Sequence, residues 1–317
     1  MVAKIFIDGE AGTTGLQIRE RLAGRRDLEV LSIAHDKRKD QDERKRLLNA
    51  ADVAILCLPD DAARESVRLI ENDTTRVIDA STAHRTAEGW AYGFAEMDIG
   101  QTGEIAKSRY VANPGCWPQG LIAAARPLVE ARLLPGDYPL TYHGISGYSG
   151  GGRQMIEDYE AQGATPSQFM PYALTFQHKH LPEMALYAKL NRAPLFEPVV
   201  GNFAQGMSTA LPIHTDMVAD IPTGKDLHAA LSDFYAAIPD SFVRVAPYDP
   251  SLAKTAALDP QAHNGTNTLT LHVFANDDLN QAVIAAVYDN LGKGASGAAV
   301  QNLNIMLGVN ARESLAA

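Results

Sequence analysis

The sequence predicts an α/β protein of two parts: a doubly wound parallel sheet, then an α+β half with a mixed sheet. Three observations carry this. Short β-branched runs alternate with helically spaced segments through the first 115 residues. A glycine-rich turn joins the first strand to the first helix. Beyond Cys116 the strand-like runs lengthen and the crossovers become fewer. At about 150 residues per domain, 317 residues suit two domains. The expected division is 1–115, completed by a C-terminal helix over 297–317, and 116–296.

The elements follow in order. Lys4–Asp8 reads as a buried strand and Leu16–Leu22 as a helix. Glu29–Ala34 is a second strand. Asp40–Ala50 is a charged surface helix with Leu47 and Leu48 on one side. Val53–Leu58 is a continuous apolar run stopped by Pro59, the signature of a central parallel strand. Ala62–Ile70 is helical, and Arg76–Ala80 and Tyr110–Ala112 are strands. Alternation at this spacing indicates parallel strands with helical crossovers. After Cys116, helices are expected at Pro118–Leu134, Pro182–Leu190, Lys225–Ile238 and Leu279–Leu291. Strands are expected at Leu140–Ser146, Met207–Ala219, Phe242–Ala246 and Asn267–Ala275. Gly147–Gly152 reads as flexible, 162–172 as loop, and Gly297–Gly308 as a helix returning to the first part.

Composition narrows the function classes. The formal net charge of −10 argues against a general affinity for nucleic acid or an anionic membrane, since both need a basic surface. No apolar run approaches the roughly 18 residues that span a bilayer. Two cysteines give no disulfide framework, and the amino-terminal residues lack the pattern of a signal peptide. A cytoplasmic protein is expected. No cluster with metal-ligand spacing appears, so no metal is expected.

Gly9-Glu10-Ala11-Gly12-Thr13-Thr14-Gly15 follows a strand and opens a helix. One glycine makes the tight turn, one lets the backbone approach a pyrophosphate, and one lets helix and strand pack closely. The helix amino terminus offers free N–H groups and partial positive charge to phosphates. In this context the turn marks a Rossmann-type dinucleotide site, with Gly9, Gly12, Thr13, Thr14 and Gly15 as contacts. The end of the second strand separates NAD from NADP. Here it runs His35-Asp36-Lys37-Arg38-Lys39, and Lys37 and Arg38 favour the 2′-phosphate of NADP(H) although Asp36 counts against it. The plainer alternative is a solvated charge run before a helix.

Asn113-Pro114-Gly115-Cys116-Trp117-Pro118 is the most informative hexapeptide. Pro114 and Gly115 turn the chain after a strand, and Pro118 fits the first turn of a helix. Cys116 therefore stands at a helix amino terminus, where the field favours the nucleophilic thiolate and backbone N–H groups can hold an oxyanion. Cys57, inside an apolar strand, reads as an inert core residue. A thiolate needs an acid–base partner. His180 precedes a helix whose first turn holds Pro182 and Glu183, a setting that would lower its pKa toward neutrality; His178 is the fallback.

These residues resemble the short form of the N-acetyl-gamma-glutamyl-phosphate reductases, within the aspartate-semialdehyde dehydrogenase-like superfamily. The resemblance spans nearly the whole chain: the 9–15 turn, 79–85, 113–118, 144–153, 178–183 and 293–302. It implies an NADPH-dependent reduction of N-acetyl-glutamyl 5-phosphate in arginine biosynthesis, through a thioester on Cys116 with His180 assisting. It further implies that Ser81 and Asn302 line the nicotinamide site. For the small-molecule acyl phosphate, Arg85, Asn113, Gly147 and Arg153 are the expected contacts; a guanidinium fork suits a phosphate or a carboxylate. A homo-oligomer, dimer or tetramer, is expected. Two rivals remain open: a sister reductase acting on aspartyl phosphate or an aminoadipate derivative, and a non-catalytic dinucleotide sensor.

Overall fold

A computed structural model describes residues 2–161, 163–251 and 257–317. Met1, and Gln162 at the start of the expected loop, lie outside the described residues. The chain forms two compact units. One comprises residues through Ala95, Gly100–Gly115 and Ala295–Ala316; the other comprises Glu96–Ile99 and Cys116–Gly294.

The first unit contains β1 (Ala3–Asp8), α1 (Thr13–Leu22), β2 (Leu28–Leu31), α2 (Gln41–Ala50), β3 (Val53–Leu56), α3 (Asp60–Leu69), β4 (Arg76–Asp79), β5 (Ala91–Tyr92), α4 (Gln101–Lys107) and β6 (Tyr110–Ala112). The C-terminal helix, Gly297–Leu307, belongs with them. Its six strands are all parallel, in the order β2-β1-β3-β4-β6-β5. Alternation along β1 sends Ile5 and Ile7 to one face and Phe6 to the other. Ile18, Leu22, Ile105, Val300 and Leu303 from three helices cover the first face. Leu47, Leu48 and Ala63 from α2 and α3 cover the second. Strands buried on both sides explain why β3 reads as an unbroken apolar run. The strand order reverses between β1 and β3, and in such sheets ligands bind beyond the carboxyl ends at that point.

Several boundaries differ from expectation here, two of them with a clear physical cause. β2 stops at Leu31 because it is an edge strand whose ladder ends at the Phe6–Leu31 pair. The C-terminal helix stops at Leu307, not 317: Gly308 takes a left-handed φ of 70°, the backbone reversal that ends many helices.

The second unit contains α5 (Cys116–Glu130), β7 (Thr141–Gly147), α6 (Gly152–Glu160), β8 (Phe169–Pro171), α7 (Leu181–Tyr187), β9 (Leu195–Gly201), β10 (Met207–His214), α8 (Gly224–Ala236), β11 (Val243–Val245), β12 (Leu269–Asn276) and β13 (Gln281–Tyr288). The sheet order is β11-β12-β13-β10-β7-β9-β8. The β7–β9 and β11–β12 pairs are parallel and the others antiparallel, so the sheet is mixed. α5 packs on this sheet, with α7 and α8 against it. It carries Pro127 in its interior, which leaves the Ala123 carbonyl without its N–H. The buried Tyr235 hydroxyl of α8 donates to that carbonyl at 2.9 Å, so the defect is repaired from a neighbouring helix.

Three expectations are corrected in this unit. Leu279–Leu291 was expected to be helical, and most of it is β13. Asn280 is left-handed (φ 52°) after a short 3-10 turn, so the chain reverses and β13 pairs with β12 from Asn276–Gln281 onward. The alanines of Gln281–Tyr288 mimic helix composition, but Val283, Ile284, Val287 and Tyr288 suit a central strand buried on both faces. Within 162–172, Phe169–Pro171 forms the edge strand β8. The Gly147–Gly152 segment is a 3-10 turn tied down by bonds from Gly147, Tyr148 and Ser149 N–H to the carbonyls of Gly206, Phe203 and Ala204.

Candidate active site

The glycine turn in the first unit divides its labour as the spacing suggests. Gly9 has φ +92°, and a Cβ there would lie 2.3 Å from the Cys57 carbonyl oxygen. A Cβ on Gly15 would lie 2.6 Å from the Gly9 carbonyl oxygen, so this glycine lets α1 sit against the turn. Gly12 differs: a Cβ there would approach nothing in the protein closer than 3.5 Å. Its missing side chain serves no packing need inside the fold, which leaves room for something outside it. Gly12 also caps α1 with no side chain of its own, and Thr13 and Thr14 begin the helix, partly exposed.

A cleft of about 410 Å³ opens beside this turn, lined by Gly9, Glu10, Ile33, Arg38, Lys39 and Arg44 among others. Arg44 is held at its back by a buried triad: its guanidinium bonds Asp8 at 3.1 Å and Ser66 at 2.6 Å, and Ser66 donates to Asp8 at 2.8 Å. The buried Glu10 carboxylate pairs with Arg38 at 3.2 Å and also with Arg19. Of the expected basic pair, Arg38 faces the cleft, whereas Lys37 is exposed and outside its lining; Lys39 takes that place. The basic run begins in a short 3-10 turn, His35–Lys37.

At the carboxyl end of β4, Asp79 is fully buried and gathers partners. Ser81 donates to it through N–H at 2.9 Å and through its hydroxyl at 2.8 Å. His84 Nδ1 lies 2.6 Å from the same carboxylate, its ring stacked on Trp90. Asn302 is fully buried, and its amide donates to the Gly93 carbonyl at 2.9 Å and to Asn113 Oδ1 at 3.0 Å. Its Oδ1 has no hydrogen-bond partner, a costly state for a buried acceptor. The Asn113 amide donates to the Ala295 carbonyl at 3.0 Å. Arg85 was expected to bind an anion; instead its buried guanidinium bonds the carbonyls of Asn113 at 2.9 Å and Ala80 at 3.1 Å. It ties strand ends together.

In the second unit Cys116 is the first residue of α5. Two buried tyrosines hold the turn that it opens. Tyr288 donates to the Cys116 carbonyl at 2.7 Å and accepts from Gly120 N–H at 3.2 Å. Tyr142 donates to the Trp117 carbonyl at 2.9 Å. The Tyr288 hydroxyl thus stands between groups four residues apart, where a helix would otherwise bond to itself. Only glycine fits at 120, since a Cβ would lie 2.7 Å from the hydroxyls of Thr209, Tyr142 and Tyr288. Burial pushes both tyrosine phenols well above their ordinary range, and the charge of Cys116 adds to it. The phenols therefore stay protonated and can donate. Cys57 differs: burial, then Asp79 and Asp8, push its thiol up to about 12, which makes it a poor nucleophile near neutral pH.

Behind Cys116 lies an aromatic and imidazole cluster. Trp117 donates to the Tyr172 hydroxyl at 3.0 Å and meets Phe196 edge-on. His178 packs edge-on against Tyr172, Phe196 and His180, its ring 4.7 Å from that of His180. The His180 N–H donates to His178 Nδ1 at 3.1 Å, which leaves the His178 proton on Nε2 when that ring is neutral. His180 itself is buried at the start of α7, which packs on α5. Tyr172 thus joins the residues that the motifs alone single out, among them His178, the fallback; the proline-flanked aromatic 171–172 was a usable signal. The remaining expected contacts lie on β7 and α6. Gly147 is needed for packing, since a Cβ would lie 2.5 Å from the Ala204 carbonyl oxygen. Arg153 sits on α6 with its side chain 73% exposed, 3.4 Å from Glu157.

Comparison with known proteins agrees with this layout. Residues 4–104 match the family described as semialdehyde dehydrogenase, NAD binding domain, and residues 116–290 match semialdehyde dehydrogenase, dimerisation domain. An N-acetyl-gamma-glutamyl-phosphate reductase of Chelativorans sp. is 63% identical over 97% of this chain and 99% of its own. One from Mesorhizobium japonicum is 62% identical over 98% of this chain and 100% of its own. The chain belongs to the N-acetyl-gamma-glutamyl-phosphate reductase family. Solved structures share its fold at low identity. Aspartate semialdehyde dehydrogenase II of Vibrio cholerae matches with a TM-score of 0.72 and 14% identity, over 97% of this chain and 99% of that one. Among the described residues no helix is long and apolar enough to cross a membrane.

Proposed function

We propose that this chain reduces N-acetyl-gamma-glutamyl phosphate with NADPH to N-acetyl-glutamate 5-semialdehyde and phosphate, in arginine biosynthesis, through a thioester on Cys116. The observation that carries the proposal is the seat of Cys116: a thiol at the amino end of a 15-residue helix whose first turn is braced by two tyrosine hydroxyls. Family membership at 63% identity supports the substrate.

The residues of the first unit suit a dinucleotide. Gly9 and Gly15 build the turn, and Gly12, Thr13 and Thr14 open α1 toward a pyrophosphate, with space kept at Gly12. Arg38, with Lys39 in the cleft, supplies positive charge for a 2′-phosphate. The orphaned Asn302 Oδ1 suits the carboxamide N–H of a nicotinamide, and Ser81 is held close to the strand end by Asp79. NADP is bound by a structural neighbour, the aspartate semialdehyde dehydrogenase of Candida albicans.

The chemistry then follows from the side chains. The Cys116 thiolate attacks the acyl carbon, the bond to the phosphate oxygen breaks, and phosphate leaves with the electron pair. Backbone N–H groups at the start of α5 stabilise the oxyanion. Bound NADPH supplies the hydride that reduces the thioester carbon. His180 gives a proton to the oxygen as charge builds there and removes it as the aldehyde carbonyl re-forms, while the carbon–sulfur bond breaks and returns the thiolate. Arg153, exposed on α6 and 3.4 Å from Glu157, is the arginine offered to a substrate anion; Arg85 and Asn113 hold backbone within the first unit, and Gly147 packs within the second. The enzyme works as a cytoplasmic homo-oligomer, dimer or tetramer.

The test is the reverse reaction with phosphate and NADP. Turnover of N-acetyl-glutamate semialdehyde, with aspartate semialdehyde far slower, supports the proposal. The opposite ranking, or no turnover of either, rejects it.

A further inference from the structure

A second buried feature bears on Cys116 and has no role in the chemistry above. Lys293 and Glu96 form an ion pair at 2.5 Å with both side chains only 1% exposed. Such a pair is a poor stabiliser, because desolvating two charges offsets most of their attraction and an apolar pair of similar volume does as well or better. What a buried pair adds is a fixed geometry.

That geometry converges on the nucleophile. The other Glu96 oxygen accepts the Phe242 N–H at 3.1 Å, and the Lys293 ammonium lies 5.8 Å from the centre of the Phe242 ring. The Lys293 side chain is thereby pinned to the start of β11. Its own carbonyl accepts from the Gln119 amide at 2.7 Å, on α5 three residues past Cys116. The next residue, Gly294, donates its N–H to the Asp289 carbonyl at 2.9 Å. A Cβ on Gly294 would lie 2.9 Å from the Cys116 Cβ, so this backbone is a wall against the cysteine. The turn from Gly292 is wound as a π-helix, a distortion often found at functional positions.

We infer that the Lys293–Glu96 pair is a positioning device: it locks the Lys293-Gly294 backbone, and that backbone sets where the Cys116 side chain points. Burial draws the Lys293 ammonium's pKa down, and Glu96 opposes that effect. The inference rests on Cys116 as the nucleophile, and the test separates the two.

The full-length Glu96→Gln/Lys293→Met variant removes both charges and strands neither. Its melting temperature, its kcat and KM in the reverse reaction, and the rate at which iodoacetamide alkylates Cys116 are compared with the parent. Misplacement of a reacting group by about 1 Å costs up to roughly 100-fold. The expected result is a folded protein with kcat and alkylation both down roughly 10- to 100-fold and KM changed less than about twofold. A folded variant with parental kcat and alkylation overturns the inference. Gly294→Ala keeps the ion pair and crowds Cys116 directly, so it is expected to give the same signature and decides the matter if the double variant does not fold; parental behaviour there also overturns it. Cys116→Ser with retained turnover rejects the nucleophile itself, whereas the alkylation rate still scores the positioning.

Discussion

Gly120→Ala separates tertiary packing from helix propensity by the sign of its effect. Alanine in place of glycine inside a helix gains about 1 kcal/mol when nothing else intervenes. Here the new methyl would lie 2.7 Å from three hydroxyl oxygens, on Thr209, Tyr142 and Tyr288. Two of those belong to stiff aromatic rings packed in the core, which cannot simply swing aside. Overpacking of this kind costs about 1–3 kcal/mol. Moving the Tyr288 hydroxyl also disturbs its bonds to the Cys116 carbonyl and the Gly120 N–H, at about 1 kcal/mol each. The net expectation is destabilisation by about 3 kcal/mol. Urea unfolding followed by circular dichroism reads this as a lower midpoint at unchanged slope. Because the same hydroxyl anchors the first residue of α5, iodoacetamide alkylation of Cys116 should slow in the folded variant. A midpoint equal to or above the parent's would mean that propensity wins and that the three hydroxyls do not form the tight seat described.

Other perturbations give equally direct expectations. Tyr235→Phe strands the buried Ala123 carbonyl and should cost about 1–3 kcal/mol in the same urea assay; adding Pro127→Ala restores an N–H to that carbonyl and should recover part of the loss. Arg38→Ala/Lys39→Ala should raise the KM for NADPH roughly tenfold or more with little change for NADH, whereas Lys37→Ala alone should do little, as steady-state kinetics with each cofactor will show. Cys57 carries its proton up to about pH 12 when folded against 9.0 for a free thiol, so its contribution to stability is full below pH 9 and fades as pH rises toward 12. Cys57→Ala should therefore flatten the alkaline fall in stability relative to the parent, and a thiol reagent near pH 7.5 should label one cysteine quickly in the native protein and two after denaturation.

The parallel half was readable because its signals are local. Val53–Leu56 is buried on both faces and says so in every residue, and Gly9, Gly12 and Gly15 sit in a strand-turn-helix whose geometry each explains. Asp40, read as the first residue of the helix, instead caps α2 through the Glu43 N–H. The mixed sheet was harder. β13 is rich in alanine, and only its pairing with β10 and β12 makes it a strand. β9 pairs along β7, and β8 in turn along β9, which no local pattern records. The site shows the same division. Cys116 and His180 stand at helix starts flanked by proline, a signal carried by neighbours in sequence. Tyr142, Tyr172 and Tyr288 reach α5 and its surroundings from distant strands and a loop, so their role appears only with the tertiary fold. Arg85 misled for the opposite reason: an arginine shortly after the Ser81-Thr82 strand end looks like an anion binder until its guanidinium is found on two carbonyls.

The covalent step can be observed directly. The protein is mixed with N-acetyl-gamma-glutamyl phosphate in the absence of any reduced nicotinamide, quenched in acid and digested, and the peptide holding Cys116 is weighed. An N-acetyl-glutamyl thioester on that peptide, absent from the one holding Cys57 and released by hydroxylamine, is the predicted result. An unmodified Cys116 peptide from protein that turns over normally once NADPH is supplied would contradict the account at its root.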